Sequence, residues 1–154
     1  MLDPREVFFS QKKYILNLLK KTSLISYKPV ETPMEANLKL QVISTEEVVN
    51  REQFYRNLRS LTYLLHTQPD IVFAVSVMSQ FMQSPREKHF EVVYWILKYL
   101  KGTLGRGLLF ANHGHLKIEA YTDADWVGSI MDRRFTLGYY TLIRGNLITW
   151  RSKK

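Results

Sequence analysis

The spacing of apolar residues changes once along this chain of 154 residues, near Gly107. Before that point apolar side chains recur every three or four positions, which places them on one face of an α-helix. After it they alternate with polar ones, the period-two pattern of a half-buried strand. The change predicts an α+β chain, with a helical part over 1–105 and an antiparallel three-stranded sheet within 106–154.

The helical part resolves into four helices. Ser10 is placed to cap a first helix whose inner face carries Tyr14, Ile15, Leu18 and Leu19. Pro29 and Pro33 then impose an extended segment, because each disfavours helix in the residue before it. The polar stretch over 35–50 reads as a loop. A second helix over 51–66 presents Phe54, Leu58, Leu61 and Leu65, and Thr67-Gln68-Pro69-Asp70 ends it. A third carries Ile71, Ala74, Val75, Met78 and Met82. Ser84-Pro85-Arg86-Glu87 has the form of a capping box before a fourth helix that turns Phe90, Val93, Leu97 and Leu100 inward. Lys101-Gly102 suits its C-terminus.

In the strand part, Leu108-Leu109-Phe110 reads as a short strand and His113-Gly114 as a turn. Leu116, Ile118 and Ala120 alternate with Lys117, Glu119 and Tyr121, the period-two pattern of a half-buried strand. Thr136–Ile143 and Asn146–Arg151 flank Arg144-Gly145, the pattern of a hairpin.

Composition excludes several classes. There is no cysteine, so disulfide frameworks, thiolate zinc sites and cysteine nucleophiles are ruled out. The longest unbroken apolar run, Val92 to Leu97, is far short of the roughly 20 residues of a bilayer span. Asp3 and Glu6 stand where a signal or transit peptide would be basic. These features predict an intracellular chain, cytoplasmic or nuclear, with a mitochondrial location open. The formal net charge of +8 points to a polyanionic partner, of which nucleic acid is the commonest.

The residues that could carry chemistry are few. Asp123 and Asp125 follow a strand at a two-residue offset, and carboxylates at a strand end can ligate a hard dication such as magnesium. A solvated turn explains the same spacing. His113 and His115 lack the further donors that zinc requires. No phosphate-cradling glycine loop and no serine-hydrolase elbow occurs. Basic residues cluster at Lys12-Lys13, Lys20-Lys21, Arg133-Arg134 and from Arg151 onward, with Lys98, Lys101 and Arg106 between them. Tyr94, Trp95 and Tyr99 stand beside that middle cluster. Aromatic rings next to cations can stack bases while the cations hold phosphates, although an amphipathic helix commonly buries such rings, and Trp95 is expected in the core.

Ordered motifs carry a resemblance across nearly the whole chain. Phe9-Ser10-Gln11-Lys12-Lys13-Tyr14 and Lys28-Pro29-Val30-Glu31-Thr32-Pro33-Met34 resemble the region just after the palm of copia-type retrotransposon reverse transcriptases. Tyr55-Arg56 with Leu61-Thr62-Tyr63-Leu64 is similar to that family's Y-R-x-x-x-G-S-L-x-Y-L, and Thr67-Gln68-Pro69-Asp70-Ile71 to its T-R-P-D-I. Leu97 to Thr103 resembles L-R-Y-L-K-G-T, and Tyr121 to Trp126 resembles Y-T-D-A-D-W. Asp132-Arg133-Arg134 resembles the start of D-R-R-S-T-S-G-Y, and Trp150 to Lys154 resembles W-K-S-K-K.

The resemblance implies a piece of a Pol polyprotein. The first part would correspond to the thumb and connection region, and the second to the opening strands of a ribonuclease H domain. Asp123 would take the place of a catalytic aspartate that ligates magnesium, here vestigial, with no magnesium held tightly. The family's Tyr-Val-Asp-Asp polymerase motif is not in this sequence. The other ribonuclease H carboxylates lie beyond W-K-S-K-K in the family, and two-metal cleavage needs several carboxylates around ions roughly 4 Å apart. Three positions depart from the pattern: Arg59 for a glycine, Gln68 for an arginine and Phe135 for a small polar residue. Arginine at a tight helix contact is costly if buried. These features lead to the expectation of a decayed copy whose incomplete sheet is marginal alone, with an open edge and an exposed apolar face at Leu116–Thr122.

The function expected from the resemblance is that of a catalytically inactive reverse transcriptase/ribonuclease H fragment. Its partners would be the backbone of an RNA–DNA hybrid or DNA duplex, bound weakly through Lys98, Lys101, Arg106, Arg133 and Arg134, and the rest of a Pol polyprotein in a longer frame. A nuclease completed by carboxylates from a partner chain is a second reading, and a host-adopted basic protein-interaction module a third.

Overall fold

The computed structural model describes residues 5–35, 40, 50–125 and 136–153. It is an α+β structure in two compact units. One is Gln11–Arg106, and the other joins Met1–Ser10 with Gly107–Lys154. Residues 36–39 and 41–49 of the expected loop lie outside the described residues.

The first unit holds α1 (Lys12–Lys21), α2 (Arg51–Leu64), α3 (Val72–Ser79) and α4 (Glu87–Gly102), with a 3-10 turn, Pro69–Ile71, leading into α3. Its core follows the inner faces foreseen from the spacing with exceptions: Leu64 rather than Leu65 is buried on α2, Ile96 joins on α4, and Tyr14 and Met82 are only partly buried. Ile15 and Leu19 of α1 share one cluster with Phe54, Leu58, Leu61 and Leu64 of α2. Ile71, Ala74, Val75 and Met78 join them, and Val93, Ile96, Leu97 and Leu100 complete the cluster from α4. Phe54 and Phe90 meet edge to face at 5.3 Å, a favoured geometry for aromatic pairs.

The helix starts differ from expectation. Ser10 is not the cap of α1: Gln11 holds that position and makes no side-chain capping bond. The Gln11 side chain is engaged elsewhere, accepting a bond from the Thr67 hydroxyl at 2.7 Å. Asn50 caps α2, its Oδ1 accepting the Gln53 N–H at 3.1 Å. Nor does Ser84 cap α4. The cap is Arg86, and its N–H donates to His89 Nδ1 at 2.9 Å. His89 supplies the acceptor because it is buried and stacked on Phe81, with ring centroids 4.0 Å apart.

The second unit contains two antiparallel sheets. A strand not foreseen from the sequence, β1 (Val7–Phe9), pairs with β2 (Leu108–Phe110) in the register Phe8↔Leu109. The larger sheet has the order β3 (Ile118–Asp125), β4 (Thr136–Ile143), β5 (Asn146–Lys153). Arg144 and Gly145 close the expected hairpin at φ 54° and 75°, the left-handed pair that a two-residue turn of this twist requires. Register then slips between Thr141 and Leu142. Leu142 pairs with Leu147 and Thr141 with Thr149, so Ile148 is an extra residue, a β-bulge. The Asn146 side chain bonds both ways to the Ala111 backbone, accepting its N–H and donating to its carbonyl, each at 2.8 Å.

The exposed apolar face expected of this sheet is present: Leu116 and Ile118 are 77% and 70% exposed. Alternation assigns residues to two sides of a strand, but a side becomes interior only when another layer packs on it. Among the described residues no helix is long and apolar enough to cross a membrane.

A Cβ built on Gly107 would lie 2.1 Å from the Phe9 carbonyl oxygen, so this position accepts no side chain while β1 and β2 are paired. Gly107→Ala is expected to cost roughly 1–3 kcal/mol, the range for forced overpacking. Amide exchange in β1 and β2 should speed up while the helical circular dichroism is retained. Unchanged protection of Phe9 and Leu108 would contradict this account.

Candidate nucleic-acid interface

The α4 cations singled out from the sequence are engaged within the helical unit. Lys98 Nζ lies 5.0 Å from the centre of the Tyr27 ring, and Lys101 Nζ donates to the Tyr27 carbonyl at 2.6 Å. Trp95, expected in the core, is half-buried and donates its indole N–H to the Thr32 carbonyl at 2.8 Å. A Cβ on Gly102 would sit 3.2 Å from Pro29 Cβ, so a bare backbone lets the proline segment lie close. Together these residues fasten the extended segment 27–32 along α4. Pro29 fixes a backbone angle within that segment, and Trp95, Lys98 and Lys101 hold it down. Lys98 and Lys101 are therefore structural fasteners first.

Arg106 has a 66% exposed side chain, but its direction is fixed. Its Nη1 donates to the Tyr99 hydroxyl at 3.2 Å and lies 3.8 Å from Asp70 Oδ2. Tyr99 is only 4% exposed and donates its hydroxyl to Asp70 Oδ2 at 2.5 Å. Burial, then the bond to Asp70 and that carboxylate's charge, push the Tyr99 phenol up to about 12, against the opposing influence of Arg106. Arg133 and Arg134 lie outside the described residues.

A surface not singled out from the sequence runs along α2. Phe54, Leu58, Leu61 and Leu64 face the core. At 100° per residue, Tyr55, Arg59 and Tyr63 fall on the opposite side with Glu52 among them, Arg51 and Arg56 flank them, and all, like His66 just beyond the helix, are exposed. Arg51 stands over the Tyr55 ring at 5.9 Å. Tyr63 packs against Tyr14 of α1 at 4.9 Å and against His66 at 5.9 Å. Because Arg59 is exposed, the burial cost feared for this departure from the family glycine does not arise. Glu52, the one carboxylate on α2, lies on the same face, and three arginines leave it net basic. The available signal was the i, i+4 recurrence of Arg51, Tyr55, Arg59 and Tyr63, which a search for adjacent lysines and arginines passes over.

Asp123 is exposed on β3, opposite Gly138 of β4. Tyr121 of the same strand stacks on Tyr140 at 4.9 Å. Glu119 accepts bonds from Lys117 at 2.8 Å and from the Tyr121 hydroxyl at 3.1 Å, and these bonds, Lys117 first, hold its carboxyl below the usual range. Among the described residues no group of three or more His, Cys, Asp or Glu side chains stands where it could hold a metal ion.

The Tyr99 shift sets a pH prediction. The folded-state phenol has a higher pKa than the unfolded one, so its contribution to stability is complete below pH 10 and is lost as pH rises through about 12. Ultraviolet titration should show one tyrosine ionising well after the others, and Tyr99→Phe should abolish that late step. A late step that survives the substitution would assign it to another residue.

No family model and no solved structure matches the chain. Similar proteins are nevertheless clear. The chain is 40% identical over 98% of its length to the retrovirus-related Pol polyprotein from transposon RE1 of Arabidopsis thaliana, covering 10% of that protein. It is 38% identical over 97% of its length to the corresponding polyprotein from transposon TNT 1-94 of Nicotiana tabacum, covering 12%. An uncharacterized mitochondrial protein of Arabidopsis thaliana is 34% identical over 98% of the chain and 62% of its own length. The chain thus spans about a tenth of the length of the transposon polyproteins that it matches.

Proposed function

Because the chain belongs to the retrovirus-related Pol polyproteins of copia-type transposons, we propose that it is a nucleic-acid-holding segment from their reverse transcriptase/ribonuclease H region. In this reading the helical unit grips the phosphate backbone of an RNA–DNA hybrid or DNA duplex and performs no chemistry itself. The observation that carries it is the exposed face of α2, where Arg51, Arg56 and Arg59 interleave with Tyr55 and Tyr63.

The physical argument is one of charge and spacing. Arg51 and Arg59 are eight residues apart, about 12 Å along the helix axis at 1.5 Å per residue. A nucleic-acid strand in a duplex presents a phosphate about every 3.4 Å of axis, so this face spans roughly three or four of them. Guanidinium groups match phosphate oxygens with paired donors, and exposed tyrosines add stacking and hydroxyl contacts. Backbone contacts of this kind position a duplex without reading its sequence. Arg106, held by Asp70 and Tyr99, offers a further oriented guanidinium on the same unit. Polymerase and nuclease chemistry is not assigned to this stretch. It has no adjacent pair of aspartates, and Asp123 stands without enough described partners for a metal.

Fluorescence anisotropy with a labelled RNA–DNA hybrid tests the reading. Affinity should fall steeply with salt, and Arg56→Ala with Arg59→Ala should lower the slope of log affinity against log salt by about one unit per arginine. Lys101→Ala, which removes a group bonded to Tyr27, should leave that slope unchanged. Absence of binding at low salt from a folded sample, or a slope indifferent to the two arginines, would overturn the proposal.

A further inference from the structure

The backbone passes between the two units at Ser10–Gln11 and at Arg106–Gly107. Inside the helical unit, both of these exits are bonded to the same short turn, Thr67-Gln68-Pro69-Asp70. Gln11, the first residue of the unit, accepts a bond from the Thr67 hydroxyl at 2.7 Å. Arg106, the last, is held twice. Its carbonyl accepts the Gln68 amide at 3.3 Å, and its guanidinium reaches Tyr99 and Asp70 at 3.2 and 3.8 Å.

The turn is well suited to serve as an anchor. Gln68 is 1% exposed, so its amide must find partners within the fold, and the Arg106 carbonyl is one. The Thr67 and Gln68 N–H groups both donate to the Leu64 carbonyl, at 3.1 and 3.0 Å, which welds the turn to the end of α2. Pro69 fixes the next backbone angle. Asp70 is tied to α4 through Tyr99. The partners are distant in sequence, 56 residues for Thr67 with Gln11 and 38 for Gln68 with Arg106, so the convergence is a product of the tertiary fold.

We infer that the Thr67–Asp70 turn is a latch that holds both exits of the helical unit at once, so that weakening it at one exit loosens the backbone at the other. The coupling follows from shared support. A turn that loses Gln11 or Tyr99 as a partner gains freedom, and the bonds it makes to the other exit are then weakened. Local opening of this kind draws on a few bonds and leaves the buried helical core in place.

Amide hydrogen exchange on the full chain tests this, read in peptides spanning 9–13 and 104–108 and in an internal reference within α2 at 56–63. Two variants approach the latch from opposite sides: Thr67→Val removes the bond to Gln11, and Tyr99→Phe removes those to Asp70 and Arg106. Each is expected to raise exchange about fivefold in both exit peptides, the scale on which losing a hydrogen bond shifts a local opening, with the α2 reference unchanged. Loosening confined to the exit nearest the substitution would overturn the shared latch. So would an equal rise in the α2 reference in both variants, since that reports general loss of stability.

Discussion

The burial of α4 is the constraint on which the helical unit depends. Val93, Ile96, Leu97 and Leu100 are sealed against the other helices, and this leaves a flank of the same helix to organise what has no regular structure. Trp95, Lys98, Lys101 and Gly102 lie on that flank and hold the proline segment by an indole bond, a cation over a ring, an ammonium bond and a close backbone approach. Tyr99 and the residues just beyond the helix fasten the Thr67–Asp70 turn. A helix that contributed only apolar burial would leave these segments loose. Here one element supplies both the core and its ties.

That arrangement sorts the positive charge by task. Lysines on α4 satisfy carbonyls and rings within the unit, where a flexible ammonium reaches several acceptor geometries. Arginines on α2 face outward among tyrosines, in the planar, multiply donating form that suits phosphate. Net charge announces a polyanion, but it is exposure and prior engagement that decide which cations are free to meet one. The proposed interface therefore moves from α4, where the sequence drew attention, to α2.

Legibility followed the range of the interactions. The inner faces of α1, α2 and α4 were readable because helical spacing is local, and the hairpin was readable because Arg144-Gly145 carries its own turn preference. The caps of α1 and α4 were not. Several residues compete for those sites: Gln11 holds the first while its side chain bonds distant Thr67, and Arg86 holds the second because the buried His89 ring accepts its N–H. The strand Val7–Phe9 was invisible because three residues show no period and its partner lies about a hundred positions on. Trp95, Lys98 and Lys101 were identified as residues but not by task, since the segment they hold is 63 to 74 residues distant. For the sheet, alternation marked an apolar side, and its exposure at Leu116 and Ile118 was expected from the resemblance, which places the covering helix further along the family's chain.

The extra residue in the hairpin has a separate consequence. Ile148 faces no partner of its own, and the pairs on either side of it, Leu142 with Leu147 and Thr141 with Thr149, are those of an uninterrupted ladder from which one position has been set aside. The strand could shorten by that residue without any cross-strand neighbour changing. Tyr140 would still face Trp150, and the turn would still present Asn146 to Ala111. Loss of Ile148 would thus leave the pattern of contacts intact, while the loss of a paired residue elsewhere in the hairpin would exchange its two sides.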